Sequence, residues 1–402
     1  MKKKLKRFIV VLFYIIWKPW MLLYVTIFQH VRFKRNGFKV PKGPVLFLSN
    51  HLSNWDGIYL NLMFMFRIIH FIVHEELYKN KFLSFLCTHL VGTVRRGMNE
   101  KDISDVLAVR KLAKEGRNIG LYPEGDIDMF GRTLPIAPSV AKFAKMLNLP
   151  VVVLRIEGAV IRTSRWAKYA RHSHLTYSIK DVILLEEVKN ASVTELYSRI
   201  ISKISANDYD YVEKMKYKQW PGKNRAMWLE LGLFWCPKCH RFEVLSSKGN
   251  IVFCTKCDFV AKYNRYGFLE EINYPIPSSL LPLWDDIQIK FLHDYIDNSQ
   301  DDLLFEAHDL DFYKVKQVEY FKEPICKGTL RIYKDRIGLI LENCEEEQYI
   351  YIKDMVKIYL QHKDVFEIHF GEDRIRFRTK RRKWSAYLYI QAVKYLKLKV
   401  EK

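Results

Sequence analysis

The chain has 402 residues, 49% of them hydrophobic and 14% aromatic, a globular composition with room for two or three domains rather than that of a disordered chain. Its net charge of +21 sets a standing attraction to anions: nucleic acid, an anionic membrane face or acidic protein partners, or else only a solvated basic surface. Seven cysteines include two Cys-x-x-Cys pairs and leave Cys87, Cys326 and Cys344 over. That speaks against a disulfide framework and for reduced thiols with a metal site, in the cytosol or on the cytosolic side of a membrane.

The N-terminus reads Met1-Lys2-Lys3-Lys4-Leu5-Lys6-Arg7, then carries no charge from Phe8 to Trp17. Lys18-Pro19 interrupts, Trp20 to Phe28 is nearly apolar again, and residues 30–39 are basic. No small-residue cleavage site follows, which excludes a signal peptide. One spanning helix needs about 20 apolar residues. The length suffices, but a central Lys costs about 2.5–3.5 kcal/mol and Pro19 kinks the helix. The expectation for residues 1–40 is a broken, monotopic element: two short apolar helices dip into one leaflet, with Lys and Arg at the headgroups and both ends cytoplasmic. A single span is the alternative, and a soluble core helix a third reading.

From residue 45 apolar runs alternate with helical stretches. Strands are expected at 45–48, 68–73, 91–94, 119–122 and 151–156, and helices at 56–66, 79–90, 101–116 and 139–147. This alternation predicts an α/β domain over 41–215 with a mostly parallel sheet flanked by helices.

Trp220-Pro221-Gly222-Lys223 breaks the pattern. Then Cys236-Pro237-Lys238-Cys239 and Cys254-Thr255-Lys256-Cys257 stand fourteen residues apart, bracketing a hairpin of 242–245 and 251–253 about Lys248-Gly249-Asn250. Tetrahedral Zn²⁺ takes four thiolates, and Cys236, Cys239, Cys254 and Cys257 can deliver them. The segment 230–265 resembles zinc ribbons, with a closed and therefore structural site; unligated or redox thiols are the alternative. His240 and Asp258 replace the glycine often found after each knuckle.

Tyr274-Pro275-Ile276-Pro277 is a linker and 284–296 reads as a helix. Strands are then expected at 328–333, 337–341, 348–352, 356–360, 365–370 and 374–378, followed by the basic run Lys380-Arg381-Arg382-Lys383 and a helix at 384–398. The β-rich segment 300–402, closed by a helix, resembles pleckstrin-homology-like or GRAM-like domains. Its basic run suits anionic lipid at about 1 kcal/mol per residue, or is a solvated turn.

Asn50-His51-Leu52-Ser53-Asn54-Trp55-Asp56 carries the most chemistry. Inside one helix, His51 and Asp56 would rotate off a shared face. With His51 at a strand end and Asp56 in the first turn of the next helix they can meet, and the helix dipole favours Asp there. An imidazole held by a carboxylate can take a proton from a hydroxyl. The other reading is a histidine that caps a helix beside a solvated Asp.

Three further blocks follow in order: Gly92-Thr93-Val94-Arg95-Arg96-Gly97, Tyr122-Pro123-Glu124-Gly125-Asp126 and Leu149-Pro150-Val151-Val152-Val153. Together the four resemble the glycerolipid acyltransferase family, the lysophosphatidate acyltransferases, over about residues 1–215. The resemblance implies that His51 is the general base on the acceptor hydroxyl and Asp56 holds its tautomer. It implies that Arg95 and Arg96 face a phosphate, Arg96 fitting best, and that Glu124 and Gly125 bind substrate. Asp126 and Ile127 stand where the family has Thr or Ser and then Arg, Ala137 where it has a basic residue, and Val153 where it has a second proline. These departures leave the acceptor open.

The expected function is a membrane-bound O-acyltransferase of phospholipid synthesis. It would move a fatty acyl group from acyl-CoA or acyl carrier protein to a lysophospholipid hydroxyl, 1-acylglycerol-3-phosphate above all, with its active site on the cytoplasmic face. Membrane lipids and an acidic acyl carrier protein are the expected partners, and nucleic acid is not. The alternative is a basic zinc-ribbon nucleic-acid-binding protein, and a third option is an inactive scaffold.

Overall fold

The run Val45-Leu46-Phe47-Leu48 has no polar side chain, so it can bury both faces only in the middle of a sheet covered on both sides. The computed structural model places it there. It describes residues 16–53, 55–74, 93–96, 103–171, 173–215, 222–314, 324–342, 344, 346–371, 373–379 and 384–401. The chain forms two units, Met1–Thr163 with Arg171–Lys216, and Ser164–Ala170 with Tyr217–Lys402.

The first unit is built on seven strands: β1 (Val31–Lys34), β2 (Leu46–Ser49), β3 (Ile69–His74), β4 (Val94–Arg96), β5 (Asn118–Leu121), β6 (Val151–Glu157) and β7 (Leu175–Ile183). Their order is β1-β7-β6-β2-β5-β3-β4. Strands β2 to β6 are parallel, β7 runs antiparallel to β6, and β1 pairs parallel with β7. The expected parallel sheet is therefore present, extended at one edge by two strands that the apolar runs do not mark. β1 is four residues with two charges, and β7 mixes polar with apolar residues.

Helices cover both faces. A helical run at 16–27, here α1, and α2 (Asp56–Met63) lie over one face. There Trp17, Met21, Val25, Tyr59, Leu60 and Met63 pack with Phe47, Phe71 and Leu154. On the other face α3 (Ile103–Lys114), α4 (Ser139–Leu147) and, after the short α5 (Ala159–Thr163) and α6 (Leu185–Asn190), α7 (Val193–Ile204) pack on Leu46, Leu48, Val151 and Val153. Alternate residues of β2 and β6 thus feed two cores, as a pleat requires. α8 (Asp208–Lys214) follows. The helix expected at 79–90 lies outside the described residues.

The break expected at Lys18-Pro19 is absent: residues 16–27 are one helical run. Lys18 is not at a surface either. It is 1% exposed, and its ammonium donates to the carbonyls of Phe64, Met65 and Arg67, at and just past the C-terminal end of α2. The outward side of α1 carries Ile16, Trp20 (71% exposed), Leu23, Tyr24 and Ile27, with Phe28 just beyond. No described helix is long and apolar enough to cross a membrane.

In the second unit β8 (Leu245–Lys248), β9 (Ile251–Cys254), β10 (Val260–Tyr263) and β11 (Leu269–Glu271) form an antiparallel sheet in the order β11-β10-β9-β8. Helix α9 (Leu281–Asn298) leads to β12 (Leu303–Lys314), β13 (Cys326–Tyr333), β14 (Arg336–Leu341), β15 (Gln348–Tyr351), β16 (Met355–Gln361), β17 (Val365–Phe370) and β18 (Asp373–Arg378). These make an antiparallel sheet in the order β15-β14-β13-β12-β18-β17-β16, followed by α10 (Ala386–Val400). The six strands expected from 328 onward are present. Central β12 is additional: its register slips between Ala307 and Leu310, with Asp309 at φ +55, and that bulge breaks the period-two signal. Residues 380–383, the expected lipid-docking run, lie outside the described residues.

Candidate active site

Asn50 is fully buried where β2 and β6 part. Its amide donates to the Ile156 carbonyl (3.0 Å) and its carbonyl accepts from Ile156 N (2.7 Å), a side-chain rung that extends the ladder. His51 comes next, on the carboxyl edge of a parallel sheet, where α/β folds place their ligands.

The expected meeting of His51 and Asp56 occurs. His51 Nδ1 is 2.9 Å from Asp56 Oδ2, with Asp56 fully buried and the imidazole 22% exposed. Asp56 Oδ2 also accepts from the backbone amides of Leu52 (2.8 Å) and Ser53 (2.9 Å). Its Oδ1 accepts from Ser53 Oγ (2.8 Å) and from the hydroxyl of Tyr177 (2.7 Å). Five donors on one carboxylate fix its plane. The pairing assigns the Nδ1 proton to the Asp56 side and leaves Nε2 as the basic nitrogen.

The imidazole ring is held from its face as well. It stacks on Tyr122 (centroids 4.3 Å, 14° between planes), and Tyr122 stacks on Phe71 (5.3 Å, 8°). Phe71 in turn lies over Gly120, its register partner across β3 and β5; a Cβ at Gly120 would come within 2.2 Å of the Phe71 ring.

Glu124 follows Tyr122 in the turn after β5. One carboxylate oxygen accepts from His51 N (2.7 Å) and the other from Leu134 N (2.6 Å). Both oxygens are therefore engaged by backbone, and Glu124 ties the His51 main chain to the loop at Leu134. Burial pushes its pKa up to about 8, against the two amide hydrogen bonds and with the charges of Asp128 and Asp56 adding to the rise. Gly125 sits exposed beside it at φ +74, donating to the Tyr122 carbonyl (3.3 Å). Burial and the Asp56 charge hold the phenols of Tyr122 and Tyr177 well above the usual tyrosine range.

Arg95 and Arg96 end β4 and pair with Val73 and His74 of β3. The parallel register carries that end to the same edge of the sheet as His51 and Tyr122; their side chains lie outside the described atoms. Asn50 and Glu124 were legible as parts of motifs. Tyr177 was not, because it lies 121 residues from Asp56, on a strand with no apolar signature.

In the second unit the four expected thiols converge. Sγ of Cys236 and Cys257 are 3.7 Å apart, those of Cys239 and Cys254 3.8 Å, and all four lie within 4.8 Å of one another. Four sulfurs about 2.3 Å from a tetrahedral Zn²⁺ would stand about 3.8 Å apart, so the thiols fit that ion without forming disulfides. His240 takes the left-handed φ of +57 that a knuckle glycine would supply, and Lys238 pairs with Asp258 (2.5 Å) across the two knuckles.

No curated protein matches the sequence. Among solved structures the chain is similar to the 1-acyl-sn-glycerophosphate acyltransferase PlsC of Thermotoga maritima, at 17% identity and a TM-score of 0.42, over 54% of this chain and 84% of that one. It is also similar to the N-terminal PH domain of human ARAP2, at 15% identity and a TM-score of 0.20, over 25% of this chain and 85% of that one. Residues 30–157, the segment that holds His51, Asp56, Arg95, Arg96 and Glu124, match the Acyltransferase family model.

Proposed function

We propose that the protein is a glycerolipid O-acyltransferase that esterifies the hydroxyl of a lysophospholipid, 1-acylglycerol-3-phosphate above all, with a fatty acyl group from acyl-CoA or acyl carrier protein. The observation that carries this reading is the His51–Asp56 pair, 2.9 Å apart, inside the matched segment. His51 Nε2 takes the acceptor's hydroxyl proton as the oxygen attacks the thioester carbonyl. The tetrahedral oxyanion collapses, the carbon–sulfur bond breaks, and the imidazolium returns its proton to the departing thiolate. Asp56 keeps the ring in the tautomer this needs and faces the imidazolium while it exists. Arg95 and Arg96, at the same sheet edge, suit a phosphate monoester.

The outward apolar side of α1 supports a monotopic seat on a cytoplasmic membrane face, with Trp20, Leu23 and Ile27 entering the headgroup boundary. The four thiols support a structural zinc in a ribbon fold, which would hold the two knuckles and leave no open position for substrate. The seven strands closed by α10 support a pleckstrin-homology-like reading of the C-terminal segment.

The test is acyl transfer from labelled acyl-CoA or acyl carrier protein to 1-acylglycerol-3-phosphate in lipid vesicles. Wild-type protein forms the diacyl product, and His51→Ala lowers the rate by about 10²–10⁴-fold with vesicle binding intact. Full activity of the His51→Ala protein would overturn the assignment.

A further inference from the structure

Of the five donors on the Asp56 carboxylate, four come from residues 51–53, the loop that immediately precedes it. Those four move with the carboxylate whenever that loop moves. The fifth, the Tyr177 hydroxyl, comes from β7 and reaches Oδ1 at 2.7 Å. Among the described residues it is the hydrogen bond that ties the carboxylate to the sheet itself. The phenol is rigidly seated: Tyr177 is fully buried, in register with Phe33 of β1 and in ring contact with it (5.8 Å), and edge-on to Tyr59 of α2 (5.7 Å).

Resting on the acyltransferase reading above, we infer that Tyr177 is a positioning residue of the reaction: its hydroxyl anchors Asp56 Oδ1 so that Oδ2 stays turned to His51 Nδ1. Tyr177 touches neither substrate nor the reacting nitrogen and acts through Asp56. It lies beyond residues 30–157, outside the segment that matches the family model. Burial and the Asp56 charge keep the phenol protonated well above the usual tyrosine range, so it serves as a donor throughout the working pH.

A donor on Oδ1 also withdraws charge from the carboxylate. Without it the carboxylate faces the ring with more negative charge, holds the imidazolium more tightly, and frees the base only at higher pH. A phenol that merely satisfied its own buried hydroxyl would have no such effect.

The experiment compares kcat, KM and the pH–rate profile of wild type, Tyr177→Phe and His51→Ala in the vesicle assay. Tyr177→Phe should lower kcat about ten- to a hundredfold, the effect of losing one hydrogen bond to a charged group. It should leave KM unchanged and move the acidic limb to higher pH. Should the phenylalanine chain fail to fold, 3-fluorotyrosine at position 177, a stronger donor of nearly the same shape, should move the limb to lower pH. An unmoved limb and unchanged kcat in the folded variant, or an unmoved limb in the fluorotyrosine chain, overturns the role of Tyr177. If His51→Ala is inactive in the same series, the acyltransferase reading survives that result. If His51→Ala is fully active, both fall.

Discussion

The ammonium of Lys18 lies 2.7 Å from the carbonyl oxygen of Arg67. The link joins the N-terminal helix to the residues just past α2, the helix whose first residue is Asp56. A lysine that reads in the sequence as an obstacle within an apolar stretch is a C-terminal cap for the helix that bears the carboxylate. Carbonyl ends of helices attract cations for the reasons that make their amide ends attract anions.

Lys18→Met keeps the apolar stem and removes the donor. The carbonyls of Phe64, Met65 and Arg67 would lose it inside the fold, at about 1–3 kcal/mol. The expected outcome is a lower thermal midpoint and faster proteolysis within 16–27. Unchanged melting would mean that those carbonyls find other donors.

Glu124 links stability to pH with a definite sign. The carboxyl holds its proton up to about pH 8 in the fold, against an ordinary value of 4.5. Between those values the folded chain binds a proton that the unfolded chain has lost. Its contribution is therefore fully present below 4.5 and is lost as pH rises through 8. Glu124→Gln cannot ionise, so urea unfolding at about pH 5 and about pH 8.5 should show a smaller decline for the variant than for wild type. Glutamine also presents its NH₂ to one of two backbone donors, so the variant should be weaker at the lower pH by about 1–3 kcal/mol. Equal pH slopes for the two chains would show that the carboxyl titrates normally.

Gly120→Ala should reach the imidazole through two rings. The new methyl would stand 2.2 Å from Phe71, which leans on Tyr122, which stacks on His51. Overpacking of this kind costs about 1–3 kcal/mol, and acyl transfer should fall by about tenfold or more as the ring leaves its line with Asp56. Activity assays on folded variant protein check this. A rate equal to wild type would show that Phe71 yields toward another side.

Removing zinc should unfold the ribbon rather than stop the chemistry. Metal analysis of purified protein should give about one zinc per chain, and Cys239→Ser should lose most of it. The segment leading into the first knuckle packs onto α9 through Gln288, which accepts from Phe234 N (3.1 Å) and donates to the Gly232 carbonyl (2.9 Å). Phe242 meets Phe291 and Phe305 in the same unit. Chelation should therefore lower the melting of that whole unit. A chelated protein that melts unchanged would argue for thiols that need no ion.

Several features of the fold and the site follow from local chemistry alone. Runs such as 45–48 and 151–154 have no polar side chain and must be central strands. The order of His51, Arg96 and Glu124 after successive parallel strands brings all three to one edge of the sheet, because every such strand points the same way. Two Cys-x-x-Cys pairs flanking a hairpin converge because each knuckle and the hairpin are short-range structures. Other features depend on long-range packing. Lys18 turns inward because a helix ends beside it, Glu124 meets His51 N because two loops leave neighbouring strands, and Tyr177 reaches Asp56 because β7 folds back against β6. Each of those contacts joins residues from 49 to 121 positions apart. Their partners are fixed by sheet order and helix docking, which no local pattern of side chains encodes.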